Sequence, residues 1–167
     1  MPKAVSGVTL RWTRLSNGLL MLRYRVEDSN FLDIPQAREL PGRRDELWKS
    51  TCFEFFIYDG GANYREFNFS PSGDWAAYRF HGYRTDRTNF DPVIAPSISC
   101  HHARNQLTAS VYISTEEIRA ARSASPCAVL IEEHRRPSYW AMKHGRLQPD
   151  FHDPACFQAR LGPAKPA

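Results

Sequence analysis

The chain has 167 residues and a formal net charge of +4, with 42% hydrophobic and 24% charged residues. This length suits one domain that can bury a core, and the scattered arginines indicate no nucleic-acid partner. No apolar run approaches the roughly 20 residues of a membrane span, no signal-peptide pattern opens the chain, and the four cysteines lack CxxC spacing. We therefore expect one reduced, cytoplasmic domain over residues 1–167, with its core at 8–161 and no membrane contact.

The N-terminal part of the chain predicts a β-hairpin followed by a long loop. Residues 8–13 and 19–26 are β-rich runs, and Ser16-Asn17-Gly18 between them is a strong hairpin signal. Residues 33–49 are charged and contain Pro35 and Pro41-Gly42. This segment predicts a connecting loop with a short strand at its start.

The middle of the chain predicts paired strands. Residues 51–58 (TCFEFFIY) are nearly all apolar, Asp59-Gly60-Gly61 forms a turn, and residues 64–70 return as a partner strand. A second turn at residues 71–73 leads into residues 75–83, which have mixed strand character.

The C-terminal half predicts five more strands and one helix. The strands fall at residues 94–100, 106–113, 126–134, 138–143 and 156–161. Ser114 and Glu117 have capping-box spacing, so a short helix is expected from there to about Arg122. Short strands with frequent turns and one short helix indicate an all-β fold, an antiparallel β-sandwich.

Alternation within residues 51–58 places a carboxylate on a defined face. A strand period puts Phe53, Phe55 and Ile57 on one face, which we expect to be the core, and Glu54 on the other. Burying an unpaired carboxylate is expensive. Glu54 is therefore expected to project into a hollow that solvent or a ligand can reach.

The next strand extends this polar patch. Glu66 and Asn68 share a face there, and Trp48 lies just before the Glu54 strand. An aromatic plane beside carboxylate and amide groups suits a sugar, whose CH face stacks on the ring while its hydroxyls accept and donate hydrogen bonds. The alternative is structural: Trp48 covers the rim of the core, and the acids pair with neighbouring arginines.

The sequence offers no motif for catalysis or metal binding. It lacks a GxSxG elbow and a glycine-rich phosphate loop. The six histidines lack ligand-like spacing, and the adjacent His101 and His102 would point to opposite faces of a strand. We expect no enzyme activity, no metal and no required cofactor.

Two blocks of sequence resemble a known family. Residues 48–54 (WKSTCFE), 64–73 (YREFNFSPSG) and 75–78 (WAAY), together with 139–144 (YWAMKH), 149–154 (PDFHDP) and Phe157, are similar to the DOMON-like proteins, relatives of the family 9 carbohydrate-binding modules. The resemblance covers about residues 8–161. It implies a jelly-roll-like sandwich that binds a carbohydrate or a similar small polar ligand without catalysis.

The resemblance also implies roles for particular residues. Trp48 matches a stacking tryptophan, and Glu54 matches a glutamate that contacts a sugar hydroxyl. The relatives place an arginine where Glu66 falls, next to Arg65. An asparagine and a tryptophan three residues later correspond to Gln148 and Phe151. The implied ligand site is therefore Trp48, Glu54, Glu66, Asn68, Gln148 and Phe151.

Other DOMON relatives bind haem b and transfer electrons. For this alternative the candidate axial ligands are Met142, His144 and His152, although the chain has no CxxCH motif for covalent attachment. A third alternative is a protein-interaction domain without a small ligand. The sequence leaves the oligomeric state open.

Overall fold

The computed structural model describes residues 4–161, and their regular structure is almost entirely β-strand. The ten strands are β1 (Gly7–Arg14), β2 (Leu19–Glu27), β3 (Cys52–Gly60), β4 (Asn63–Phe69), β5 (Trp75–Phe80), β6 (Thr88–Asn89), β7 (Ser97–Ala103), β8 (Gln106–Ser114), β9 (Ser123–Glu132) and β10 (Arg136–Ala141). The helices within this part of the chain are single 3₁₀ turns at Leu47–Lys49, Thr115–Ile118, Glu133–Arg135 and Pro154–Cys156.

The strands form two antiparallel sheets. One has the order β1-β2-β8-β7 and the other β10-β9-β3-β4-β5-β6. This arrangement confirms the predicted antiparallel β-sandwich. The single-domain assignment stays a prediction.

The core lies between the two sheets and is built by alternate residues. Phe53, Phe55, Ile57, Phe67 and Phe69 are fully buried in one cluster. Because side chains alternate along a strand, their neighbours Glu54 and Glu66 point to the other face of the six-stranded sheet. The predicted facing of both strands is confirmed.

The predicted helix after β8 is a single 3₁₀ turn. The Ser114 hydroxyl accepts a hydrogen bond from the Glu116 amide at 3.2 Å, as an N-cap residue does. Glu117, the expected partner in the capping box, instead receives hydrogen bonds from Arg65 and from the Val93 amide. The N-cap residue was therefore predicted correctly, whereas the reciprocal contact of Glu117 and the length of the helix were not.

Two segments that were predicted to contain strands have a different structure. Residues 156–161 form no strand: Asp153 caps the 3₁₀ turn Pro154–Cys156, and Ala159 then makes one isolated bridge to Ala124. Residues 33–49 contain no strand at their start, although Arg43 bridges Trp75.

The observed bounds of several strands differ from the predicted bounds for identifiable physical reasons. Pro96 has no N–H for a ladder, and β7 begins directly after it. The strand after Trp75 ends at Phe80, because residues 82–85 form a tight turn in which Arg84 adopts a positive φ. The two-residue strand β6 was not predicted. No helix within residues 4–161 has the length and apolar character needed to cross a membrane.

Candidate functional site

A cavity of about 410 Å³ lies on the outer face of the six-stranded sheet. Strands β3, β4, β5, β9 and β10 form its floor, and the segments before β3, after β5 and after β10 form its walls. Its lining is Trp48, Glu54, Glu66, Phe80, Arg84, Arg87, Val129, Tyr139, Pro149, Asp150, Phe151 and His152.

Two carboxyl groups sit on the cavity floor. In the β3–β4 register Glu54 lies opposite Asn68, and Phe56 lies opposite Glu66, so the two glutamates are diagonal neighbours on one face. Glu54 is 3% exposed and Glu66 6% exposed. The floor therefore presents two acids that are almost completely removed from solvent.

Burial makes both acids hard to ionise. It raises the pKa of Glu54 well above its ordinary value, and the negative charge of Glu66 raises it further, while Arg84 opposes the shift. Burial also raises the pKa of Glu66, to about 7, with Arg87 and Arg84 opposing. Burial therefore favours the acid form of Glu54, which can donate a hydrogen bond.

The amide of Asn68 lies on the same face of β4 as Glu66, opposite Glu54 on β3, and is fully buried. It is close enough to Glu66 to lower the pKa of that carboxyl. Within residues 4–161, however, neither polar atom of the amide makes a hydrogen bond of ordinary distance and angle. Such a group is costly to leave unsatisfied, so the floor retains unused hydrogen-bonding capacity.

Aromatic rings and an arginine form one wall. The 3₁₀ turn Leu47–Lys49 positions Trp48, which is half-buried and meets Tyr78 edge-on with ring centroids 6.2 Å apart. The Arg87 guanidinium lies 5.8 Å from the Trp48 ring and 4.9 Å from the Tyr78 ring. Tyr78 is fixed in turn by a 2.7 Å hydrogen bond to Asp45.

The opposite wall is made where two loops meet. Arg84, from the turn after β5, donates to Asp150 at 2.8 Å, and the hydroxyl of Tyr83 donates to the same carboxylate. The next residue, Phe151, packs edge-on against Tyr139 at 6.0 Å and against Phe56 at 6.5 Å. Asp150 thus joins the two loops beside the cavity.

His152 lies at one end of the cavity among aromatic rings. Its Nδ1 is 2.7 Å from the Tyr64 hydroxyl, and its Nε2 is 3.7 Å from a Glu66 oxygen. Burial lowers the pKa of His152 to about 4, and Arg84 adds to this effect. The imidazole is therefore neutral at pH 7, and its contact with Glu66 is not a charged pair.

The structure brings together four of the six predicted ligand residues. Trp48, Glu54, Glu66 and Phe151 line the same cavity. Asn68 lies on the same face but is fully buried and does not line the cavity, and Gln148 is exposed outside it.

The arginine beside Glu66 does not reach this face. Because Arg65 is the neighbour of Glu66 on the strand, its side chain points to the opposite side of the sheet. There it binds Asp59 and Glu117 at 2.7–2.8 Å. The alternative that the cavity acids pair with arginines is not seen: Arg84 and Arg87 line the cavity, but within residues 4–161 neither forms an ion pair with Glu54 or Glu66.

Sequence reasoning missed several cavity residues. Arg84, Arg87 and Asp150 lie in loops without any periodic pattern, and their approach depends on how the loops close over the sheet. Tyr139 belongs to the motif block 139–144, where its strand position was available as a signal.

The three candidate haem ligands lie in different surroundings. Met142 is exposed and lines a second, largely apolar cavity of about 290 Å³ at the edge between the sheets. His144 is exposed and stacks on Phe151 with centroids 6.2 Å apart, while His152 lines the main cavity. No cluster of three metal-ligating side chains occurs in the described part of the chain.

Comparison with known proteins shows the fold. No family model matches the sequence, and no curated protein matches it. Among solved structures, a Bacteroides uniformis ATCC 8492 protein provisionally named as carbohydrate-binding resembles the chain with a TM-score of 0.61 and 15% identity. The match covers 90% of this chain and 75% of that chain.

Proposed function

We propose that the chain is a non-catalytic domain that binds a carbohydrate or a similar small polar ligand in the cavity above β3 and β4. The observation that carries the proposal is the pair of buried acids, Glu54 and Glu66, set beside Trp48 in a cavity of about 410 Å³. This volume lies in the usual range for small-molecule sites, about 300–1,000 Å³.

The chemistry of the lining suits a neutral polyol. The rings of Trp48, Tyr139 and Phe151 offer faces for the CH surface of a sugar. Because burial favours the acid form of Glu54, that carboxyl can donate a hydrogen bond, while Glu66 and Asp150 accept. Because Arg84 and Arg87 offset those two carboxylates, the cavity is close to electrically neutral.

The state of the acids favours binding over hydrolysis. A glycoside hydrolase needs one carboxylate that stays ionised while its partner remains protonated. Burial here raises the pKa of both glutamates. Asp150 is the lining carboxyl with a lowered pKa, but its oxygens are already engaged by hydrogen bonds from Arg84 and Tyr83.

The relationship to DOMON-like proteins and family 9 carbohydrate-binding modules is part of the same proposal. It is supported by the sandwich fold and by the positions of Trp48 and Glu54, the two residues that match the resemblance best. The Bacteroides uniformis protein, provisionally named as carbohydrate-binding, is consistent with it.

Haem binding is the second candidate, favoured by one observation. Met142 lines the apolar cavity of about 290 Å³ that opens between the sheets. An absorption spectrum of the protein mixed with haem tests it: an intense Soret band that weakens in Met142→Ala would support haem, and an unchanged free-haem spectrum would exclude it.

The proposed function is tested by calorimetric titration of mono- and oligosaccharides into the wild type and Trp48→Ala. We expect the variant to lose about five- to tenfold in affinity, because a stacking ring contributes on the order of 1 kcal/mol. Trp12→Phe is the matched control, since Trp12 lines the apolar cavity of about 290 Å³ and not the proposed sugar site. Equal affinity in the wild type and Trp48→Ala would contradict the proposed site.

A further inference from the structure

A cavity of about 390 Å³ adjoins the proposed sugar site. Its lining is Tyr58, Gly61, Ala62, Tyr64, Tyr83, Ser123, His152, Pro154 and Phe157. His152 lines both this cavity and the main one. We call the two spaces the acidic cavity and the tyrosine cavity.

The two cavities lie in line along the same strands. Glu54 in the acidic cavity and Tyr58 in the tyrosine cavity are four residues apart on one face of β3, a separation of roughly 13 Å. On β4, Glu66 and Tyr64 are consecutive residues of that face. The two cavities together therefore extend over more than the length of a single pyranose ring, with His152 between them.

The partition between the cavities is thin. At its centre is the His152 imidazole, held by the 2.7 Å contact with the Tyr64 hydroxyl. The Tyr64 ring stacks on the Phe80 ring with centroids 4.7 Å apart. Tyr64 lines the tyrosine cavity, and Phe80 lines the acidic cavity. The loop after β5 contributes Tyr83 to one cavity and Arg84 to the other, and so the same loop borders both.

The linings differ in chemistry. The tyrosine cavity has no lysine, arginine, aspartate or glutamate among its described lining residues, and His152 is neutral at pH 7. Tyr58 and Phe157 present neighbouring rings with centroids 6.0 Å apart. This cavity can stack an uncharged unit, whereas the acidic cavity can hydrogen-bond one.

We propose that the ligand is a neutral oligosaccharide that spans both cavities. One sugar unit lies in the acidic cavity against Glu54 and Glu66, and a linked unit stacks in the tyrosine cavity against Tyr58 and Phe157. This inference rests on the proposed function and extends it from a sugar to an oligosaccharide.

The test measures how affinity depends on the length of the sugar when the tyrosine cavity is open and when it is filled. Glucose, galactose, mannose, xylose and N-acetylglucosamine, each with its disaccharide and tetrasaccharide, are titrated calorimetrically into the wild type and Ala62→Trp. Ala62 is exposed on the turn between β3 and β4 and lines the tyrosine cavity, so an indole there fills that space without entering the core. Ala62→Ser is the matched control.

We expect the wild type to bind the longer members of one series about tenfold more tightly than its monosaccharide. Ala62→Trp should remove this gain and leave monosaccharide affinity unchanged. Tyr58→Ala, which removes a stacking ring, should act in the same direction.

The outcomes separate the two proposals. If the monosaccharide and the longer sugars bind equally, or if neither Ala62→Trp nor Tyr58→Ala lowers the affinity for the longer sugar, the extension is overturned while the sugar site stands. If no sugar of any length binds, the proposed function itself fails.

Discussion

The two faces of strands β3 and β4 are both closed to solvent, yet they carry opposite chemistry. On the inner face, Phe53, Phe55 and Phe67 are fully buried against the second sheet. On the outer face, Glu54 and Glu66 are almost as completely buried beneath loops. Alternate residues of these strands therefore serve packing alone on one side, while the other side combines an apolar cluster around Phe56 and Tyr64 with a polar cavity.

The difference shows that burial alone does not identify the stabilising side of a sheet. Apolar side chains gain free energy from burial. Buried acids and an unsatisfied amide such as Asn68 lose hydration without full compensation. The inner face stabilises the fold throughout, whereas the outer face combines a stabilising apolar cluster around Phe56 with acids that are kept at a cost which a bound ligand could offset.

The largest effect on the free energy of unfolding is expected from removing a buried aromatic ring on the inner face. Phe67 packs against Phe69 at 5.8 Å and Phe90 at 5.2 Å. Phe67→Ala should lower the free energy of unfolding by about 3–5 kcal/mol, because it removes a buried ring and leaves a cavity. Urea denaturation measures this. A loss no greater than that of Tyr139→Ala, whose ring is 39% exposed, would refute the contrast between the faces.

A second effect should appear as a pH dependence of the free energy of unfolding, caused by Glu66 on the outer face. The pKa of Glu66 is about 7 in the folded protein against an ordinary 4.5, so the unfolded chain releases the proton first as pH rises. The wild type should therefore lose about 3 kcal/mol of stability relative to Glu66→Gln between pH 4.5 and 7, and no more above that. Unfolding free energies at several pH values give the difference, and a flat difference would contradict it.

His152 supplies the opposite slope and serves as the control. Its pKa is about 4 when folded against an ordinary 6.5, so the unfolded chain takes up the proton first as pH falls. Relative to His152→Gln, the wild type should lose stability as pH falls from 6.5 to 4.

A substitution at Glu54 should change the free energy of unfolding and the affinity for sugar in opposite directions. At pH 8 an ordinary carboxyl is ionised in the unfolded chain, whereas burial opposes that charge in the fold. Glu54→Gln should therefore raise the free energy of unfolding by about 1–3 kcal/mol while weakening sugar binding. Denaturation and calorimetric titration of the same variant test both signs. Extensive unfolding would instead show that the acid is structural.

Local pattern was sufficient to predict most of the strands, the sandwich class and the facing of the acids. Period-two alternation fixed which side of β3 carries Glu54, and Asn17-Gly18 marked the first hairpin. Local pattern failed where structure depends on distant contacts. Residues 156–161 have strand composition, but only Ala159 finds a pairing partner.

The cavity itself could be predicted only in part, for the same reason. The depth of burial of Glu54 depends on Asp150 and Phe151, almost a hundred residues later in the chain. Arg84 and Asp86 adopt positive φ without being glycine, so Gly82 does not mark the positions at which the chain takes this conformation after β5. Spacing within one strand cannot reveal a wall that is built by two loops.

The smallest effect is expected at Gln148, and it sharpens the outer boundary of the cavity. The resemblance pairs Gln148 with Phe151, but Gln148 is exposed outside the cavity while Phe151 is 7% exposed within it. Gln148→Ala should leave sugar affinity and stability unchanged, because an exposed side chain away from the ligand contributes little. Phe151→Ala should weaken binding about tenfold. Comparable losses in both variants would show that the loop bearing Gln148 folds inward when the ligand binds.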